Sequence, residues 1–151
     1  MTVSILLSSI ADSIAGISIS GVTVKDRDQI SASWLSVPNV LYPHPDEWIT
    51  DFTIQYDSLL QGADAPMTIG YTLHYRFLGV QVGDLATMPV AYSALVDKVI
   101  AIANALIAVP GPYSGKVQMV LSDPQLGPRT DPAGNQYYGA DFSLQIQEMQ
   151  N

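Results

Sequence analysis

The chain has 151 residues, contains no cysteine and carries a formal net charge of −8 at pH 7. This length suits one domain with its own core, and the missing cysteines exclude disulfides, zinc–thiolate sites and thiol catalysis. Hydrophobic residues make up 48% and charged residues 13% of the chain, which excludes intrinsic disorder; the basic residues form no stripe, which argues against gripping nucleic acid by its phosphates. We therefore expect a single folded domain spanning residues 1–151.

The N-terminal segment is predicted to form a short helix followed by a bent strand. Apolar residues recur at helical spacing over residues 3–15, and Gly16 is a suitable stop. Residues 17–25 are rich in β-branched side chains and are interrupted by Gly21, which is typical of a strand with a bend. We expect no signal peptide, because the segment has no basic region and Asp12 interrupts it.

Residues 29–50 are the least regular part of the sequence. Pro38, Pro43 and Pro45 disfavour a helix and remove hydrogen-bond donors from any strand. Residues 39–42 are predicted to form at most a short edge strand before the proline-rich turn. The loops expected to lie outside the core are residues 27–50, 60–66, 79–91 and 123–136, the last as an extended hairpin tip.

Alternation of apolar and polar residues predicts a half-buried, mainly antiparallel sheet. The expected strands are residues 51–58, 67–78, 116–122 and 137–148. In the longest, one face is apolar and the other is polar with few charges; the polar positions are Thr68, Gly70, Thr72, His74 and Arg76. The chain as a whole contains 14 Ser, 8 Thr and 10 Gln. We therefore expect the uncharged polar face to meet other protein.

A long apolar helix is predicted at about residues 92–109, ended by the Pro-Gly-Pro sequence at 110–112. Its apolar surface is wide, so we expect it to be buried on more than one side. Asp97, Lys98 and Asn104 interrupt the run, so we predict no membrane segment. The expected fold class is α+β: a mainly antiparallel sheet flanked by an N-terminal helix and this long helix.

Neither histidine has the surroundings of a catalytic or metal site. His44 could bind a metal together with Asp46 or Glu47, but adjacent ligands in a proline-stiffened loop seldom surround one ion, and a surface turn is the preferred interpretation. His74, beside Arg76, could act as a general base or could be an ordinary exposed or interface residue of a strand. The second interpretation is preferred.

Other candidate motifs also favour ordinary structure. Residues 111–116 only superficially resemble a phosphate loop, since no Ser or Thr follows Lys116. Asp123 and Asp131 could suggest calcium, but they lack the spacing of a calcium loop and lie among residues that turns require. We expect no catalytic residue, no bound metal and no cofactor, and therefore no enzyme.

Most aromatic residues share one face of their strands and are predicted to be core residues. A few aromatics lie in loops and could anchor a partner protein. The candidate interface residues are Trp34, Tyr42, His44, Trp48 and Tyr113.

The order of segments resembles the tail terminator, or tail completion, proteins of long-tailed bacteriophages. The resemblance covers nearly the whole chain and consists of layout and short phrases rather than a catalytic signature. It begins with the apolar N-terminal helix, continues through an alanine- and isoleucine-rich helix, and ends with a final strand after residues 131–135. The phrases are Gly21-Val22-Thr23-Val24-Lys25-Asp26, Val40-Leu41-Tyr42-Pro43-His44-Pro45-Asp46, Tyr71-Thr72-Leu73-His74-Tyr75-Arg76 and Asp131-Pro132-Ala133-Gly134-Asn135.

The resemblance implies a structural protein of the virion, assembled in the host cytoplasm, that forms a ring of usually six copies. Such a ring caps the tail tube, ends its polymerisation and joins it to the head or neck. Its implied partners are other copies of itself, the tail-tube protein, the head or neck connector protein, and DNA that passes through the lumen without specific binding. No membrane partner and no cofactor are implied.

Two alternatives remain open. The chain could be another head–tail joint, such as a head-completion or connector-ring protein. From a different class, it could be a small α+β ligand-binding domain or enzyme that uses His74, Arg76 and Asp141. An enzyme requires these groups to converge in a pocket, whereas a ring subunit would leave them spread over an interface or lumen.

Overall fold

The computed structural model describes residues 5–30, 37–56, 67–83, 87–110 and 116–150, excluding the side chain of Gln150. Two α-helices and seven strands occur in this part of the chain, together with a short 3-10 helix at Arg27–Gln29. In chain order the elements are α1 (Leu7–Ala15), β1 (Thr23–Val24), β2 (Val40–Pro43), β3 (Ile49–Tyr56), β4 (Met67–Gln81), α2 (Met88–Ile107), β5 (Val117–Leu121), β6 (Gln125–Thr130) and β7 (Gln136–Gln150).

The two long strands β4 and β7 form the centre of a seven-stranded mixed sheet. They run antiparallel, with Met67 opposite Gln150 and Phe77 opposite Ala140. Strands β2 and β3 pair with successive parts of β4, β5 and β6 pair with successive parts of β7, and β1 adds to β2 in parallel. This sheet, the N-terminal helix and the long apolar helix confirm the predicted α+β class.

The main core lies on one face of the sheet, where α1 and α2 pack. The apolar positions of β4 alternate inward as predicted: Ile69, Tyr71, Leu73, Tyr75 and Phe77 are all buried. They meet the inward residues of β7 and the buried faces of both helices, which include Ile10, Ile14, Leu95, Val99, Ile102 and Leu106. Period-2 alternation in the strands and helical spacing above them therefore converge on one core.

The prediction that the long helix is buried on more than one side was wrong. The helix begins at Met88, earlier than predicted, and only one stripe of it is buried. The neighbouring stripe faces outward: Ile100 is 54% exposed, and Val96 and Ile107 are exposed as well. By length and composition α2 could cross a membrane, with a mean hydropathy of 1.6 over its most apolar window. In this fold, however, it packs on the sheet through its buried stripe.

Residues 123–136 were predicted to form an extended hairpin tip. This prediction was wrong, because these residues contain strand β6. Gln125 to Thr130 pair with the first part of β7, from Asp141 back to Gln136. Pro128 misled the prediction: β6 is an edge strand in the described structure, and an edge tolerates a proline whose position faces away from the ladder. The turn that follows begins at Asp131, whose carboxylate accepts a hydrogen bond from the Asn135 backbone at 2.8 Å.

Two smaller predictions in the N-terminal half were also wrong. The strand expected over residues 17–25 is reduced to β1 and an isolated bridge between Ile19 and Val22, around Gly21 at a φ of 74°. Strand β2 is not an edge strand, because β1 lies beside it. Of the predicted strand 51–58, residues 57–58 lie outside the described structure, as do the loop residues 60–66.

Candidate interface surfaces

The polar face of the sheet carries a row of hydroxyl groups joined by His74. His74 Nε2 lies 2.7 Å from Thr50 Oγ1 on β3, and His74 Nδ1 lies 3.0 Å from Ser143 Oγ on β7. One imidazole therefore links three adjacent strands. This arrangement holds the ring in place and explains why a histidine stands on a sheet face that is otherwise mostly uncharged.

Further along the same face, Asp141 joins two arginines. Its carboxylate accepts hydrogen bonds from Arg76 Nε at 2.8 Å and from Arg129 Nε at 3.0 Å. Burial by itself would lower the pKa of Arg76, but the contacts with Asp141 outweigh burial and raise it. The cluster thus joins β4, β6 and β7 through paired charges.

A cleft of about 560 Å³ lies beside this cluster, between the 3-10 helix, the turn after β2 and the turn after β6. The Arg27 guanidinium stacks over the Trp48 ring at 5.4 Å from its centroid. The same guanidinium pairs with Asp26 at 3.1 Å and with Asp12 at 3.3 Å. The wall of the cleft is therefore a cation–π pair supported by acidic neighbours.

His44, also in the cleft, holds the turn between β2 and β3. Its Nδ1 atom accepts hydrogen bonds from the backbone N–H groups of Asp46 at 3.3 Å and Glu47 at 3.2 Å. Burial lowers the pKa of His44, and the nearby Arg76 lowers it further. Both influences favour the neutral ring that the two backbone hydrogen bonds require, which agrees with the predicted turn. Within the described residues, no group of three or more His, Cys, Asp or Glu side chains is placed to hold a metal.

The structure separates the candidate interface residues. His44 and Trp48 both line the cleft, and Trp48 Nε1 donates a hydrogen bond to Tyr75 OH at 3.4 Å. Tyr42 is 0% exposed, and burial raises its pKa to about 12. It is a core residue and cannot serve as the exposed anchor that the sequence suggested. Trp34 and Tyr113 lie outside the described residues.

Exposed apolar side chains occur at positions that were predicted to belong to the core. On β3, the alternating positions Phe52, Ile54 and Tyr56 carry the apolar side chains of the strand. All three side chains are nevertheless exposed, Ile54 by 53%. Phe52 stacks on Tyr71 with ring centroids 5.7 Å apart, but the three side chains extend past the buried core. Parity predicted their face of the sheet correctly and gave no signal of how far the helices cover it.

The three residues of the proposed enzymatic alternative are not gathered in this cleft. Arg76 lines it, whereas His74 and Asp141 are absent from its lining. His74 contacts Thr50 and Ser143, and Asp141 is shared between Arg76 and Arg129. Arg76 and Asp141 are therefore in contact with each other, and His74 bonds to other partners on the same sheet face.

Compared with models of known protein families and with curated protein sequences, the chain matches none.

Proposed function

We propose that the chain is the subunit of a ring that caps the tail tube of a long-tailed bacteriophage, ends its polymerisation and joins it to the head or neck. The observation that carries the proposal is the apolar surface left open at two places in the fold. One lies on β3, at Phe52, Ile54 and Tyr56, and the other on the outward stripe of α2, at Val96, Ile100 and Ile107. The three residues of each set lie on one side of their element, and exposed apolar side chains grouped in this way are typical of protein contacts.

The polar sheet face supports the same proposal. On this face, the side chains of the two long strands β4 and β7 are mainly Thr, Ser and Gln. The charged groups are paired with one another in the Arg76–Asp141–Arg129 cluster. Burying uncharged or paired groups against another subunit costs less free energy than burying isolated charges. Such a face can be covered when copies assemble.

The acidic balance of the chain suits a ring around DNA. With a formal net charge of −8 at pH 7, copies gathered in a ring would repel the phosphate backbone. Repulsion would let DNA pass without sticking to the wall. The proposal therefore includes DNA as a passing molecule and not as a bound ligand.

The test is a tail-tube polymerisation assay. Tail-tube protein from the same virus would be polymerised with and without the purified chain, and tube lengths would be measured by electron microscopy. We expect shorter tubes with added density at one end. A folded acidic protein of similar size serves as the control. Unchanged tube lengths and bare ends would contradict the proposal. Binding of the chain to purified heads would then be measured, and binding to heads alone would favour another head–tail joint.

A second candidate function is binding of a small ligand in the cleft, which is favoured by the Arg27–Trp48 stack. Clefts of several hundred cubic ångströms commonly hold small molecules. Screening anionic aromatic compounds by thermal shift, with Trp48→Ala as the comparison variant, would test it. A compound that stabilises the native chain and not the variant would support this function.

A further inference from the structure

Two strands of the sheet have free edges at the same end of the molecule. Within the described residues, β3 pairs with β4 alone and β5 pairs with β7 alone. Ile54 on β3 and Val117 on β5 are the outer members of one row across the sheet, with Ile69 and Glu148 between them. In this row the strands lie side by side in the order β3, β4, β7 and β5. Strands β3 and β5 therefore form the two outer edges of the described sheet at this end.

On β3, the hydrogen-bonding groups of Ile54 point away from the sheet. The His74 backbone N–H donates to the Trp48 carbonyl at 2.9 Å, so alternate residues of β4 from His74 toward Thr68 bond to β3. Thr53 lies opposite Gly70 in that series. Because bonding direction alternates along a strand, Ile54 presents its N–H and C=O at the free edge.

On β5, the backbone N–H and C=O of Met119 point away from the sheet in the same way. The Met149 N–H donates to the Lys116 carbonyl at 2.8 Å, and the Ser122 N–H donates to the Ser143 carbonyl at 3.0 Å. The backbone N–H and C=O groups of the even-numbered residues of β5 therefore point toward β7. Met119, of the opposite parity, presents its backbone groups at the free edge.

Neither of these edges carries the usual protection against pairing with another chain. Residues 52–56 and 117–121 contain no charged residue and no proline. Protection is present elsewhere in the same sheet: β6, on the same side as β5, carries Pro128 and Arg129, and β3 is irregular before Thr53, where Asp51 has a φ of 56°. Charges, prolines and bulges are the features that block edge pairing. Charges, prolines and bulges are all missing from the parts of β3 and β5 that lie level with each other.

The two edges also fit each other in direction. Strand β3 is antiparallel to β4, β4 to β7 and β7 to β5, so β3 and β5 run in opposite directions. A second copy in the same orientation would place its β3 antiparallel beside β5 of the first. Its exposed Ile54 would then lie on the same face of the sheet as Met119. The junction would continue both the ladder and the apolar face.

We infer that β5 of one copy pairs with β3 of the next copy, so that the sheet continues from subunit to subunit. The contact is head-to-tail, and such contacts generate rings when the rotation closes. The inference deepens the proposed function, on which it rests for the closure of the ring. The occupant of each edge is a second copy of this chain.

The first test replaces Ile54 by proline. Ile54→Pro removes the outward N–H and leaves the hydrogen bonds from Thr53 and Gln55 to β4 intact, while the control Ile54→Val keeps the N–H. By light scattering, native chain and Ile54→Val should assemble, and Ile54→Pro should be shifted to the monomer. Circular dichroism checks that the proline variant is folded. A folded Ile54→Pro that assembles like the control would overturn the inference.

The second test does not depend on how the proline is tolerated. The native chain has no cysteine, so Gln55→Cys and Val120→Cys introduce unique thiols on the polar face, at exposed positions of β3 and β5. Equal amounts of the two variants would be mixed and treated with a short bis-maleimide. The product joining residue 55 to residue 120 should exceed both symmetric products. Dominant symmetric products, or no cross-link, would overturn the inference.

The two proposals fail in different ways. Capped tubes without the cross-link between residues 55 and 120 would contradict the edge pairing and leave the proposed function standing. The cross-link without tube capping would contradict the proposed function and leave the edge pairing standing.

Discussion

Glu148 is a fully buried carboxylate that connects α1 to the sheet. It accepts hydrogen bonds from the Leu6 backbone N–H at 2.7 Å and from the Tyr71 hydroxyl at 2.5 Å. Burial raises the pKa of Tyr71, and the hydrogen bond to Glu148 raises it further, so the phenol stays protonated and donates. Glu148 occupies an apolar-face position of β7 because it supplies acceptors to these two donors.

Replacing Glu148 by alanine should therefore destabilise the fold. Glu148→Ala withdraws the acceptor from two donors and should lower the free energy of unfolding by about 3 kcal/mol. Tyr71→Phe, which removes only one of the hydrogen bonds, should cost about 1 kcal/mol. Urea unfolding measures both. Equal losses in the two variants would contradict the role assigned to the carboxylate.

His44 should make stability depend on pH. Its pKa lies below the usual 6.5 in the folded chain, so the unfolded chain takes up this proton first as pH falls. Its contribution is complete above about pH 6.5 and is lost as pH falls from there through the lowered pKa. His44→Asn keeps an acceptor for the turn and does not titrate. Urea unfolding from about pH 7.5 to about pH 5.5 should show a larger loss for the native chain than for His44→Asn; parallel losses would contradict the assignment.

At the level of elements, the close approach of β7 to β4 depends on Gly139. A Cβ atom at this position would collide with the backbone oxygen of Phe77. Gly139→Ala should cost about 1–3 kcal/mol, because backbone must move. Gly16→Ala is the matched control, since its Cβ would be at least 3.5 Å from the nearest atoms. Thermal unfolding should show a lower midpoint for Gly139→Ala only; equal midpoints would argue against the tight packing.

Helix α2 should respond to mutation on one side only. Ile102 is 0% exposed and Ile100 is 54% exposed. Ile102→Ala should lower the free energy of unfolding by about 2–5 kcal/mol, and Ile100→Ala by less than about 1 kcal/mol. Denaturant titration of the purified variants provides the comparison. Similar losses at both positions would mean that the helix is covered on both sides.

The elements differ in how far the sequence could predict them. Period-2 alternation predicted β4 and β7 because each has one face on the core. It missed β6, where Gly127 and Pro128 read as a turn, because pairing with β7 is a tertiary contact that local propensity does not encode. The helical spacing of apolar residues overestimated the burial of α2, because two apolar stripes show which residues could be buried and not which of them the fold covers.

At the scale of the whole molecule, the sequence predicted which kinds of surface the protein has better than it predicted where the exposed apolar residues lie. The uncharged polar face of the sheet was expected and is present, but the anchor assigned to Tyr42 is in the core. Open apolar surface lies on β3 instead, at residues whose parity placed them inside. Which strand edges remain free depends on the order of strands in the sheet, and no local pattern in Ile54 or Met119 reveals that order.

Self-assembly of the chain into a closed ring is measured most directly by light scattering, followed by imaging of the particles. We expect closed rings and, for the usual six copies of the resembling family, a mass of about 98 kDa, six times the 16.3 kDa of one chain. If the chain is too dilute to assemble alone, tail-tube ends would be added as the surface on which the ring forms. A mass of one chain at every concentration, with and without tube ends, would contradict the ring.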